Sequence, residues 1–226
     1  MKTTPLTDNL IQLTRFRFVN AYLVREDDGL TLVDTTMGGG AGAALIAAAT
    51  AAGGEIRRIA LTHGHGDHVG AVDALKEQLG DSVDVLMPEL DARIHAGETV
   101  VDGKLPGSWP TLKTTPDVLL RPGDRVGSLE VVATPGHSPG HVAFRDSRDN
   151  SVIAGDTYTT YGKAAVSNHF YWRFPLAATA TWDTSQDLES ARTLRGLEPL
   201  LLAVGHGPAL RDPAPAMDAA ITRAAE

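Results

Sequence analysis

Apolar and polar positions along the chain divide it into two successive blocks, each with strands first and helices after. Residues 10 to 34 pattern as a strand meander: Val19 to Val24 and Leu30 to Val33 are β-prone, and Glu26-Asp27-Asp28-Gly29 between them is a hairpin-type turn. Asp34 ends the last of these strands. Residues 41 to 52 are alanine-rich and stop at Gly53-Gly54, which predicts a helix with a glycine C-cap. Ile56 to Thr62 reads as a short strand. Apolar residues at 69, 72, 75 and 79 then predict one amphipathic helix that stops at Gly80. Val83 to Met87 is a strand and Glu89 to Ala96 a short helix.

Glycine and proline punctuate residues 97 to 116, which predicts a loop long enough to have a function of its own. Strands resume at Val118 to Leu120, Leu129 to Thr134, Val142 to Arg145 and Val152 to Ala154, with turns at 124 to 127 and 146 to 150. Residues 157 to 182 have no clear period and hold most of the aromatics. A helix is predicted from Ser185 to Leu197, a strand from Leu200 to Val204, and a short helix closes the chain. No low-complexity linker interrupts the 226 residues, so one domain over 1–226 is expected. The block pattern implies an α/β (α+β) fold with sheets face to face and helices outside.

Composition narrows the function. Apolar residues make up 42% and charged residues 21%, with a net charge of −8, so neither nucleic acid nor an anionic membrane is an expected partner. There is no cysteine, which removes disulfides, thiolate ligands and a cysteine nucleophile together. The first residues lack a signal-peptide pattern and no run is long enough for a membrane span, so a cytoplasmic location is expected.

The chemistry concentrates at Thr62-His63-Gly64-His65-Gly66-Asp67-His68. Three imidazoles and a carboxylate on one short turn after a strand have no folding benefit, whereas histidine is the commonest metal ligand. Three further predicted strands end in residues able to bind metal: His137 in Pro135-Gly136-His137-Ser138-Pro139-Gly140-His141, Asp156 after Gly155, and His206 between Gly205 and Gly207. Glycine neighbours leave room for an ion to approach.

In order and spacing these motifs resemble the metallo-β-lactamase superfamily, over about 200 of the 226 residues. The resemblance implies a four-layer αββα sandwich with metals at the sheet edge. It implies that His63, His65 and His137 hold one metal, that Asp67, His68 and His206 hold a second, and that Asp156 bridges them. Asp34 matches the family's strand-end Asp behind the ligands. Asp156 argues against a true β-lactamase, and the Pro-Gly-His-Ser-Pro-Gly-His run is similar to glyoxalase II-like hydrolases and lactonases.

Imidazole and carboxylate donors without thiolate suit two zinc ions best, with iron or manganese as options. The expected activity is a dinuclear metal hydrolase acting on a small-molecule ester, thioester or lactone. A persulfide dioxygenase-like enzyme with one iron and a non-catalytic metal-binding module are the alternatives. Asp67 and Tyr158 are the candidate catalytic residues, Tyr158 because a lactonase of the family uses a tyrosine shortly after the bridging Asp. Tyr161, His169 and Arg173 are further possible substrate contacts, and His95 and His141 read as structural. Residues 97 to 116 and 157 to 175 are expected to wall a largely apolar pocket, with Trp109, Tyr158, Tyr161, Phe170, Tyr171 and Trp172 in it.

Overall fold

The computed structural model describes residues 1–226. Strands β1 (Lys2–Pro5), β2 (Leu10–Arg15), β3 (Val19–Glu26) and β4 (Gly29–Val33) form an antiparallel meander. Helix α1 (Ala41–Ala51) crosses over to β5 (Ile56–Ala60). Helices α2 (Gly66–Val69) and α3 (Val72–Leu79) lead to β6 (Asp84–Pro88), and α4 (Glu89–His95) with the irregular stretch after it leads to β7 (Val118–Leu120). From β4 to β7 the pairing is parallel, so the first sheet runs β1 to β7 in sequence order.

The second sheet is built from β8 (Arg125–Val126), β9 (Leu129–Ala133), β10 (Val142–Asp146) and β11 (Ser151–Ile153). A two-stranded ribbon, β12 (Tyr158–Thr159) with β13 (Ala165–Val166), precedes α5 (Leu176–Ala180) and α6 (Thr184–Gly196). The chain then adds β14 (Leu201–Ala203), β15 (Leu210–Arg211) and α7 (Ala214–Ala224). Strand β14 lies parallel to β11, and the sheet order is β15-β14-β11-β10-β9-β8.

Alternation along the strands produces the layers, because neighbouring side chains point to opposite faces. On β3, Ala21 and Leu23 face the helices α1 and α3, while Tyr22 and Val24 face the other sheet. On β10, Val142 and Phe144 face the first sheet, and Ala143 faces α6 and α7. On β14, Leu201 and Ala203 face inward and Leu202 faces the helices. Both sheets are therefore covered on both faces, which yields the αββα order expected from the pattern. No helix is long and apolar enough to cross a membrane.

The helix predicted over 69 to 79 is two helices. A Cβ on Gly70 would lie 2.6 Å from Gly66 O and 2.8 Å from Thr36 O, so the chain after β4 presses against the backbone here. Ala71 N donates to Thr35 Oγ1 at 3.1 Å, which caps the restart. Periodicity did not indicate β1, β8, β15, the β12–β13 ribbon or α5, all of them short.

Candidate metal centre

The seven predicted ligand positions all lie at chain breaks on one edge of the two sheets. His63 and His65 follow β5, Asp67 and His68 ride on the single turn of α2, His137 follows β9, Asp156 follows β11 and His206 follows β14. Each sheet contributes, so the cluster lies on the seam between them. Donor atoms of His63, His65 and His137 lie within 4.8 Å of one another. So do those of Asp67, His68 and His206, and those of His63, His68 and Asp156, which links the other two groups.

Hydrogen bonds behind the rings decide which nitrogen faces the cluster. Asp34 accepts from Thr62 N at 2.8 Å, from Thr62 Oγ1 at 2.9 Å and from His68 Nδ1 at 2.8 Å. Thr62 Oγ1 has given its proton to Asp34, so it accepts from His63 Nδ1 at 3.0 Å. One buried carboxylate thereby sets the tautomers of two histidines. His137 Nδ1 lies 3.0 Å from Thr181 Oγ1, whose own proton goes to Ser167 O and Ala177 O. His206 Nδ1 donates to Phe18 O at 3.0 Å. In all four Nδ1 is turned to the outer partner, so Nε2 points inward. His65 turns its Nδ1 in instead, 3.1 Å from His137 Nε2.

Asp156 is at the centre: its carboxylate lies 3.1 Å from His206 Nε2, 3.3 Å from His68 Nε2 and 3.5 Å from His137 Nε2. Asp67 Oδ2 lies 3.3 Å from His206 Nε2 and 3.9 Å from His68 Nε2. The glycines serve as expected at one point in particular. A Cβ on Gly205 would come within 1.9 Å of Asp156 Oδ1 and 2.7 Å of His68 Cε1, so only glycine lets the last strand end against the cluster.

Burial and charge push the histidines apart. Burial, followed by neighbouring imidazoles, holds His63 well below its ordinary value. Burial also dominates at His137, which is held well below it too, and at His65, lowered to about 4. At His68 and His206 burial acts in the same direction, but the carboxylates outweigh it. Asp156, Asp34 and Asp67 raise His68 well above its ordinary value, and Asp156 with Asp67 raises His206 to about 9. Burial would raise Asp156, yet His206 and His68 hold it well below the usual carboxylate range.

The donor set fits divalent cations on its own chemistry. His63 Nε2 is buried without a hydrogen-bond partner, and His68 Nε2 and Asp156 Oδ1 face each other at 3.3 Å, an arrangement costly for a protein with nothing to put there. Groups of inward-facing nitrogen and oxygen donors around one carboxylate match the needs of divalent cations held without thiolate.

Tyr158 is not brought to this site. It is fully buried among Val166, Ala191 and Val204, and its hydroxyl donates to Ala191 O at 2.8 Å. Burial raises its phenol further. A tight turn at Ala154 to Thr157, with Thr157 N bonded to Ala154 O at 3.2 Å and Gly155 at φ 51°, swings the chain so that Tyr158 faces the helices. Its place in the sequence near Asp156 is therefore not a place in the site.

The cleft over the cluster, about 530 Å³, is lined by Phe18, Met37, Phe174 and Leu176 and floored by Asp67, Asp156, His137 and His206. Gly107, Ser108 and Pro110 supply a wall from the 97–116 loop, as expected. Trp109 packs edge-on to His65 at 5.0 Å instead of lining the cleft. The wall from the aromatic segment is Phe174 with α5, while Phe170 and Trp172 point outward, 62% and 71% exposed. Lys163 and Arg173 sit over the rings of Tyr171 and Trp172.

Three supports lie outside the seven ligand positions. Asp91 on α4 is fully buried and accepts from Gly64 N at 2.8 Å, Ser138 Oγ at 2.6 Å and Gly140 N at 2.7 Å. It ties the first histidine turn to the second. Burial raises its carboxyl to about 6 against those three donors. His95, structural as expected, bridges Gly64 O at 2.8 Å and Pro110 O at 2.9 Å. His141, likewise structural, accepts from Asp156 N at 3.0 Å and so fixes the backbone of the central carboxylate.

Comparison with known proteins follows the same line. The family model for the metallo-beta-lactamase superfamily matches residues 14–206. The "Uncharacterized protein YobT" of Bacillus subtilis (strain 168) is 39% identical over 212 residues, 91% of this chain and 90% of that protein. A hydroxyacylglutathione hydrolase of Rhodopseudomonas palustris (strain BisA53) is 31% identical over 134 residues, 56% of this chain but only 40% of that protein. The solved structure of TTHA1623 in a di-iron-bound form is 29% identical with a TM-score of 0.64, covering 90% of this chain and 94% of that one.

Proposed function

Because the chain belongs to the metallo-beta-lactamase superfamily, we propose that it is a hydrolase that holds two divalent metal ions and cleaves an ester, thioester or lactone of a small molecule. In this reading His63, His65 and His137 hold one ion, Asp67, His68 and His206 the other, and Asp156 bridges them. The observation that carries it is the gathering of three interlinked His/Asp donor groups, each within 4.8 Å, around the buried Asp156 at the floor of the cleft.

Divalent ions held there supply Lewis acidity, lowering the pKa of water toward neutrality and neutralising an oxyanion as it forms. The protein's share is positional. Asp34, Thr62, Thr181 and the Phe18 carbonyl keep four imidazoles in the tautomer that offers Nε2 inward. Asp67 is the most open member of the set, its side chain 29% exposed against 4% for Asp156, so it is the carboxylate in reach of water and substrate. Phe18, Met37, Phe174 and Leu176 present apolar surface to the cleft and favour an acyl group over a phosphate ester.

The relative named as a hydroxyacylglutathione hydrolase lends weight to an acyl substrate. The di-iron form of TTHA1623 means that iron is assayed beside zinc and manganese. The purified protein is expected to hold close to two ions per chain by elemental analysis. Chelation followed by metal return should abolish and restore turnover in a screen of lactones, thioesters and aryl esters. One iron per chain with oxygen uptake and no hydrolysis would move the protein to the dioxygenase reading. A phosphodiester cleaved faster than every acyl substrate would remove the acyl class.

A further inference from the structure

The hairpin joining β2 to β3 turns at Phe16 and Arg17, whose φ angles are 51° and 71°. Phe18 N donates to Arg15 O at 3.2 Å, which closes a β-turn whose two central residues are both left-handed, within the three-residue connection between the paired Arg15 and Val19. Asn-Gly is the low-strain pair for such a turn, and bulkier side chains carry strain at each position. Strain of this kind gathers where a side chain has work to do. Packing does not account for it here, since Phe16 is 53% exposed.

The turn does present cations. A groove of about 990 Å³ runs beside it, lined by Lys2, Arg15 and Arg17 and by no Asp or Glu. The chain as a whole has 28 acidic residues to 20 basic, so this local balance runs against the average. Arg15 is held in place: its Nη2 donates to Gly39 O at 2.6 Å, its guanidinium lies 4.8 Å from the Phe16 ring centre, and its Nε is buried without a partner.

Groove and cleft are neighbours. Gly207 lines the groove and follows His206, while Arg17 lines it and precedes Phe18, whose carbonyl receives the His206 proton. Tyr161 lines the groove and packs at 5.5 Å on Phe174, which lines the cleft. The packed rings of Tyr161, Phe174, Phe18 and His206 form the wall between them.

We propose that this groove is a subsite for an anionic group carried by the substrate, a carboxylate or a phosphate, held by Arg17 with the charge of Arg15 beside it while the scissile bond lies in the cleft. The proposal rests on the hydrolase reading for the bond cleaved, but its test does not depend on cleavage. Guanidinium contacts to carboxylate or phosphate are charge-assisted and short, and they are lost stepwise as salt rises.

The test uses the protein with its metals as purified and three thioethers of equal length, ending in a carboxylate, a phosphate monoester or a primary amide. Thioethers cannot be hydrolysed, so calorimetry reads binding alone. The anionic probes should bind at least about tenfold tighter than the amide, and added salt should weaken only the anionic ones. Arg17→Gln should erase the preference while leaving amide affinity unchanged. The tighter of the two anions names the source. The double variant Phe16→Asn with Arg17→Gly should lose the preference yet melt at a higher temperature, because the turn is relaxed. Equal binding of all three probes, or an equal loss of all three in Arg17→Gln, overturns the subsite. Anion preference without hydrolysis of matching esters leaves the subsite standing and removes the hydrolase reading, and hydrolysis without anion preference does the reverse.

Discussion

Asp34 shows how much of a metal centre lies behind its ligands. It touches no position where an ion would sit, yet His68 directly and His63 through Thr62 take their tautomers from it. Its own φ of 60° is one that asparagine also tolerates, so Asp34→Asn tests the charge with little change of shape. That variant is expected to bind its second metal about 10–100-fold more weakly, read by metal titration, with the melting curve of the metal-free protein little changed. Tyr158→Phe is the contrasting case. Its hydroxyl serves Ala191 O, so the variant should keep kcat and KM on any substrate the screen identifies and lose about 1 kcal/mol in urea unfolding. A fall in kcat alone would return that hydroxyl to the chemistry. The seven donor positions were legible because imidazole and carboxylate at strand ends have few other uses. Asp91, Thr181 and the Phe18 carbonyl were not, because a hydrogen bond between distant residues leaves no local pattern.

Among the elements, the short turn α2 is where local pattern and tertiary demand part company. Apolar spacing from 69 to 79 fits one helix, and an isolated glycine is too weak a signal to break it. What breaks it is the backbone at Thr36 and Met37 lying against Gly70, and that contact is invisible until β4 is in place. The break frees α2 to aim Asp67 and His68 at the cluster while α3 follows its own axis into the core. Gly70 has an ordinary φ of −63°, so Gly70→Ala adds no backbone strain and tests the contact alone. It should cost about 1–3 kcal/mol in stability and lower metal occupancy with it. An alanine variant as stable as the parent would show that the close approach is not what divides the helix. The long strands were legible from alternation, whereas β8, β12, β13 and β15 have two residues each, too few to show a period.

Across the whole molecule, the layer order was legible in the succession of strand and helix blocks, but the seam between the sheets was not. His63, His65, Asp67 and His68 come from one sheet, and His137, Asp156 and His206 from the other. Ions bound there would tie the two together, so metal should raise the melting temperature in proportion to the logarithm of its free concentration. At about a hundred times the dissociation constant the gain is about 2.7 kcal/mol, or about 5–10 °C for a chain of this size. The sign of its pH dependence follows from His206 and His68. Both are raised in the metal-free fold, His206 to about 9, so below its own raised value each holds a proton that metal must displace. The metal-induced rise should therefore be larger at pH 8 than at pH 6, measured by melting curves at fixed free zinc. A rise that is flat or reversed with pH would remove these two histidines from the ligand set.

The seam also imposes an order in time. His63, His65 and His137 are complete within the first two thirds of the chain, but the other group waits for His206. That strand end is sewn to the first hairpin by Asn20, whose Nδ2 donates to Val204 O at 2.8 Å and Gly207 O at 2.7 Å. Contacts that span almost the whole sequence form late, because closing so long a loop costs entropy before it is repaid. In the proposed reading the group of His63, His65 and His137 can therefore assemble at a stage when the group that needs His206 is still open. During that stage the anion groove is also unfinished, since Gly207 is part of its wall. Docking of that last strand end thus completes both the second donor group and the proposed subsite.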